Sequence, residues 1–126
     1  MPKKPLILIA DDEEMLCELY AELLQPHYEI VLARNGTEAR EKALSTPGLC
    51  GILMDVQMPG MNGLQVAREV LVKRPEVRII IMSGTDVTYR VRQMFASEQV
   101  AFLVKPFELE ALLLLAKQHF SPPVPE

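Results

Sequence analysis

Apolar residues alternate along this chain between short, nearly unbroken runs and longer stretches where they recur every three or four positions. The runs cover residues 6–10, 28–33, 51–54, 78–82 and 100–104, the second interrupted by Glu29 and the fourth opened by Arg78. Runs of this length, bounded by turn residues, predict strands buried on both faces. Glu29 marks the second as less completely covered. Between the first two runs, Leu16, Leu19, Tyr20, Leu23 and Leu24 recur at helical spacing until Pro26 stops the pattern. Asn35 can cap a second helix, with Glu38 three residues on and Ala39, Ala43 and Leu44 as its apolar stripe. Asn62 caps a third, carrying Leu64, Ala67, Val70 and Leu71. Lys73 and Arg74 suit its negative C-terminal end, and Pro75 closes it. Asp86 is the expected cap of a fourth, reaching about Ser97 with Val87, Val91, Met94 and Phe95 on one face. Glu108 and Glu110 open a fifth, which carries Leu109, Leu112, Leu113 and Ala116 inward.

Repeated strand–helix units predict an α/β fold, because parallel strands need crossover connections and these are right-handed. Five units in this length fit a flavodoxin-like, three-layer (βα)5 sandwich with a five-stranded parallel sheet in the order 2-1-3-4-5. Periodicity leaves that order open; the polar residues at the strand ends favour it. One domain is expected over residues 1–120. The segment Ser121-Pro122-Pro123-Val124-Pro125-Glu126 cannot continue a helix and reads as a disordered tail or a truncated linker.

Composition narrows the picture. The chain has 126 residues, 49% hydrophobic and 24% charged, which suits one ordinary globular domain with a full core. Its net charge is -4 with both signs interspersed, so direct nucleic-acid binding is not expected. The apolar run after Met1-Pro2-Lys3-Lys4-Pro5 is too short for a signal peptide or a membrane span, and a cytoplasmic location with no membrane contact is expected. Cys17 and Cys50 lack metal-ligand spacing and read as reduced thiols. His27 and His119 read as surface residues.

The strand ends carry the candidate chemistry. The first strand leads into Asp11-Asp12-Glu13-Glu14, and the third delivers Asp55 into Val56-Gln57-Met58-Pro59-Gly60-Met61-Asn62-Gly63. The fourth ends in Ser83-Gly84 and the fifth in Lys105-Pro106. In an open parallel sheet these ends share one edge. Taken singly, each has a bland reading: Asp11-Asp12 as a helix cap, Lys105-Pro106 as a turn, Ser83 as a loop hydroxyl. Together they place three acids, a hydroxyl and an ammonium in one pocket. Clustered carboxylates repel, and a hard divalent cation relieves that. Mg²⁺ takes oxygen ligands and waters, whereas Zn²⁺ would want His or Cys. Lys105 and Ser83 are surplus to a metal and fit the outer oxygens of a phosphoryl group.

These motifs, in this order, resemble the receiver domain of bacterial response regulators over about residues 6–120. The resemblance implies that Asp55 accepts a phosphoryl group from a sensor histidine kinase, a phosphotransfer protein or a small phosphodonor. It implies Mg²⁺ held by Asp12 directly, by Asp11 mainly through water, by Asp55, and by the backbone carbonyl of Gln57. Lys105 would meet the phosphoryl oxygens, Ser83 would hydrogen-bond the phosphorylated state, and Phe102 would be the aromatic switch. Pro106 would follow a cis peptide bond. Receivers often carry Thr where this chain has Ser83, which loses a methyl, and Phe102 lacks the hydroxyl of a Tyr. Gln57 and Thr85 flank the phosphoryl site.

Such a domain is a signalling switch rather than an enzyme, assisting only its own phosphorylation and dephosphorylation. Its output is expected in another domain or protein. Leu112-Leu113-Leu114-Leu115 covers more of the last helix than one buried face requires, so a partner or homodimer surface is expected on helix 4, strand 5 and helix 5. The alternative is a haloacid-dehalogenase-type Mg²⁺-dependent phosphatase. That enzyme would want Asp-x-Asp after the first strand, where this chain has adjacent acids. A flavodoxin would want a Ser/Thr-rich loop there.

Overall fold

The computed structural model describes residues 4–96 and 98–120. Strands β1 (Leu6–Ala10), β2 (Glu29–Ala33), β3 (Leu49–Asp55), β4 (Arg78–Ser83) and β5 (Val100–Val104) form one sheet in the order β2-β1-β3-β4-β5. All four pairings are parallel. Helices α1 (Glu14–Leu24), α2 (Gly36–Ser45), α3 (Gly63–Lys73), α4 (Thr88–Met94) and α5 (Leu109–His119) provide the crossovers.

Alternation along the strands divides the core in two. Leu8, Ile52, Met54, Ile79 and Ile81 pack with Ala39 and Ala43 of α2, Ala67 and Val70 of α3, and Val91 of α4. Ile7, Ile9, Leu53, Ile80 and Met82 pack on the other face with Tyr20 and Leu24 of α1 and Leu112 and Ala116 of α5. Successive strand side chains point to opposite faces. A strand covered on both sides must therefore be apolar without a break, which is why the central strands read as runs. The predicted α/β architecture and strand order are both present.

The caps follow the sequence where a short polar side chain precedes a helix. Asn35 Oδ1 accepts from Glu38 N at 2.8 Å, and Asn62 Oδ1 from Gln65 N at 2.9 Å. Arg74 departs from expectation. It follows α3 but donates to the carbonyls of Ala43 and Thr46 at 2.8 and 2.7 Å, closing the end of α2.

Three expectations are corrected. The fourth helix does not start at Asp86 or extend past Met94. Asp86 accepts from Thr88 N at 2.9 Å and shapes the turn before the helix, and Phe95 is already extended (φ -136, ψ 150). Residue 97, its expected end, lies outside the described residues. With so short a helix, Met94 is left 40% exposed and only Val87 and Val91 are buried. In α1 the buried set is Cys17, Tyr20 and Leu24, at spacings of three and four, which turns Leu19 outward. His119 is half-buried rather than on the surface, with Nε2 3.1 Å from the Gln99 carbonyl, and burial lowers its pKa. The expected tail, residues 121–126, lies outside the described residues.

Candidate functional site

β1, β3, β4 and β5 end side by side, so the residues that follow them meet at one edge. Lys105 Nζ lies 2.6 Å from Asp55 Oδ2 and 3.6 Å from Asp11 Oδ2. The first is a charge-assisted hydrogen bond; the second is too long to be one. Asp55 is 9% exposed and Asp11 fully buried. Each carboxylate also takes a backbone N–H two residues ahead: Glu13 N to Asp11 Oδ1 at 2.9 Å, and Gln57 N to Asp55 Oδ1 at 3.0 Å. These turns hold both acids with their outer oxygens toward the same ammonium.

Asp11 Oδ2 is a buried polar atom with no hydrogen-bond partner among the described residues. Burial raises the Asp11 pKa, and the nearby charges of Asp55 and Asp12 add to the rise; the Glu13 N–H and Lys105 oppose it. Burial works against the Lys105 ammonium, but the hydrogen bond and charge of Asp55, with Asp11 behind it, leave its pKa raised. One ammonium thus serves two carboxylates, and one oxygen is left over. An orphaned buried carboxylate oxygen invites a cation.

Asp12, beside Asp11, is exposed and lines a shallow depression with Val56, Gln57, Met58, Pro59 and Asn62. Among the described residues no three His, Cys, Asp or Glu side chains gather as a closed metal cage. The oxygen donors here are few and carboxylate or carbonyl in kind. That set fits Mg²⁺, which keeps most of its waters, better than an ion wanting a full protein shell.

Ser83 is buried and its hydroxyl is engaged by Thr85, through Thr85 Oγ1 at 3.2 Å and Thr85 N at 3.2 Å. The Ser83 carbonyl accepts from Lys105 N at 2.8 Å, tying the two strand ends together. Phe102 pairs with Ile81 two residues inside the β4 end. It is half-buried and lines a cleft with Thr88, Val91, Arg92 and Phe95. The structure therefore joins Asp11, Asp55 and Lys105 directly, places Asp12 and Gln57 alongside, and keeps Ser83 and Phe102 behind them. The Lys105–Pro106 peptide is cis.

Three neighbours escaped the sequence reading. The Cys17 thiol donates to the Asp11 carbonyl at 3.2 Å. Tyr20 stacks on Phe107 with ring centres 6.0 Å apart, on a mainly apolar cleft of about 580 Å³ that also includes Leu16, Leu19, Gly84 and Lys105. Gly63 lies against the end of β3, where a Cβ would overlap the Asp55 carbonyl oxygen and sit 3.0 Å from Val56 Cα. The sequence marked Tyr20 only as a helix position and Cys17 only as a reduced thiol. Their contacts depend on how α1 docks.

The fold and the paired carboxylates define an α/β domain with an acidic, lysine-bearing edge. Residues 7–117 match the response regulator receiver domain family, and the chain belongs to that family. Among curated proteins it is 40% identical over 112 residues to the transcriptional regulatory protein PdtaR of Mycobacterium tuberculosis, covering 85% of this chain and 52% of that protein. It is 35% identical over 112 residues to the transcriptional regulatory protein SrrA of Staphylococcus aureus, covering 88% of this chain and 46% of that one. The chain thus spans about half the length of these relatives. Among solved structures it is similar to the response regulator TrrA of Thermotoga maritima in complex with Mg²⁺–BeF. That match has a TM-score of 0.77 and 34% identity and covers 90% of this chain and 97% of that one. Membership does not favour the haloacid-dehalogenase-type alternative, and the acid hydrogen-bonded to Lys105 ends β3 rather than following β1. Among the described residues no helix is long and apolar enough to cross a membrane.

Proposed function

We propose that this receiver domain, residues 1–120, takes a phosphoryl group onto Asp55 from a phosphohistidine of a sensor histidine kinase or phosphotransfer protein. The observation that carries the reading is the shared Lys105 between Asp55 and Asp11, with Asp11 Oδ2 left without a hydrogen bond. An Asp55 oxygen attacks phosphorus, the phosphorus–nitrogen bond to the donor imidazole breaks, and the imidazole leaves with that electron pair. Lys105 exchanges its bond to Asp55 Oδ2 for a phosphoryl oxygen, without moving off the edge. Asp11, Asp12, Asp55 and the Gln57 carbonyl would hold Mg²⁺. Bound there, the ion screens the clustered carboxylates and the charge on the transferring phosphoryl oxygens.

The switch follows from charge. A phosphoryl oxygen near Ser83 competes with Thr85 for its hydroxyl, drawing the end of β4 inward. The space vacated beside Thr88 and Val91 admits the Phe102 ring from its cleft. The readout is the surface of α4, β5 and α5, where Tyr89, Met94, Val104 and Leu114 are exposed. A downstream output domain or protein, or a second copy, takes that surface. The domain's product is a changed surface, so it acts as a cytoplasmic switch and not as an enzyme on a separate substrate.

Intact mass after incubation with acetyl phosphate and Mg²⁺ tests the reading. The protein gains one phosphoryl group, Asp55→Asn gains none, and chelating the metal prevents the gain. A wild-type level of label on Asp55→Asn would overturn the assignment.

A further inference from the structure

The loop that leaves the phosphoacceptor, residues 56–62, is anchored at two ends. At the sheet, Val56 N donates to Met82 O at 2.9 Å and Gly63 N to Val56 O at 2.7 Å. At the far end, it lies against the start of α2. Gly36, the first residue of that helix, is buried and donates its N–H to Pro59 O at 2.9 Å. A Cβ on Gly36 would overlap the Met61 carbonyl oxygen and come within 2.6 Å of its carbonyl carbon and 2.8 Å of its nitrogen. Those are main-chain atoms, so no rotamer change relieves the clash; the loop must move. A second close approach sits beside it. Gly60, at φ +85, lies over Thr37, and a Cβ there would come within 2.6 Å of Thr37 Oγ1.

Gln57 lies between the two anchors, with its own N–H on Asp55 Oδ1 at 3.0 Å. A shift of Pro59 to Met61 therefore reaches the Gln57 peptide, and through that hydrogen bond the Asp55 carboxylate. We propose that Gly36 is a positioning residue for phosphoryl acceptance. By letting the Met61 backbone lie directly on α2, it holds the Gln57 carbonyl and the Asp55 carboxylate where they serve a cation. The proposal rests on the reading of Asp55 as a Mg²⁺-dependent phosphoacceptor.

The test measures the Mg²⁺ concentration for half-maximal phosphorylation by acetyl phosphate, together with urea unfolding, in wild type, Gly36→Ala and Gly48→Ala. Gly48 has φ +77 and nothing within 4 Å of a built Cβ, so its variant strains the backbone without touching the loop. Half-saturation should rise about 10- to 100-fold in Gly36→Ala, the usual range for losing a support behind a metal site. Gly48→Ala should keep the wild-type value although it is less stable. A folded Gly36→Ala with wild-type half-saturation overturns the proposal. If that variant does not fold, Gly60→Ala decides. Its half-saturation should rise and return toward wild type when Thr37→Ala removes the opposing hydroxyl; no rise in folded Gly60→Ala overturns the proposal equally. A wild type that takes no phosphoryl group defeats the Asp55 reading and this inference with it, whereas a phosphorylated wild type with unresponsive variants defeats the inference alone.

Discussion

Lys105 stands between two carboxylates, and the consequences can be measured one residue at a time. Replacing it with Met leaves Asp55 and Asp11 without their shared cation. Lys105→Met should lower stability by about 1–3 kcal/mol in urea melts without metal, the range for stranding buried acceptors. Added Mg²⁺ should recover part of that loss; equal losses with and without metal would contradict the account. Asp11 makes the opposite case. Its Oδ2 is buried without a hydrogen bond, and burial already pushes its pKa up. Asp11→Asn should raise the stability of the metal-free protein by about 1–3 kcal/mol while removing most stabilisation by Mg²⁺. A less stable metal-free variant would show that Asp11 is well accommodated as it stands. At this scale the meeting of these residues was legible because acids, a hydroxyl and a lysine at the ends of buried runs have no packing rationale. What could not be read was how deeply each sits. Adjacent Asp11 and Asp12 look alike in the sequence, yet one is fully buried and the other exposed, because only Asp11 continues the line of β1.

Elements were legible in proportion to how completely their surroundings dictate them. The central strands β1, β3 and β4 are covered on both faces and announce themselves as nearly unbroken apolar runs, whereas the edge strands β2 and β5 are covered less completely. Helix α4 packs against little besides β5, so its pattern was too weak to fix its ends. Leu19 and Met94 show a related limit: several apolar residues share a helix, and docking decides which ones face inward. Helix α5 offers two tests. Phe120, just past its end, is buried against β3, where Gly51 leaves room for the ring; a Cβ at Gly51 would come within 2.5 Å of it. Phe120→Ala should cost about 3–5 kcal/mol in urea melts; a loss below 1 kcal/mol, roughly, would mean the cavity collapses without penalty. His119, one residue earlier, has its pKa lowered by burial, against the opposing bond to Gln99. The unfolded chain therefore binds the proton more readily than the folded one. Stability is fully present above the ordinary histidine value of about 6.5 and falls as pH drops below it toward the folded value. Substituting Gln should flatten that part of the stability–pH curve. An unchanged slope would assign the dependence to other groups.

The whole molecule is a sheet whose two faces are packed and whose C-terminal edge is kept for chemistry. Its order, β2-β1-β3-β4-β5, puts β3 in the centre and so brings Asp55 between Asp11 on one side and the β4 and β5 ends on the other. Periodicity alone left that order open, and only the demand that the polar residues meet selected it. On the β5 flank, Leu114 and Val104 are 56% and 44% exposed, which fits a surface for a partner or a second copy. Size-exclusion chromatography with and without beryllofluoride should show a shift to dimer on addition; the same monomer peak in both would remove the second copy from the proposal. The central claim, that Asp55, Lys105 and the acids that follow β1 form one phosphoryl-accepting centre, is tested most directly by a crystal structure with Mg²⁺ and beryllofluoride. The account predicts beryllium bonded to an Asp55 oxygen, Lys105 Nζ on a fluorine, and Mg²⁺ against Asp12, Asp55 and the Gln57 carbonyl. Beryllofluoride bound away from Asp55, or Lys105 still on Asp55 Oδ2 with no metal beside it, would contradict the claim.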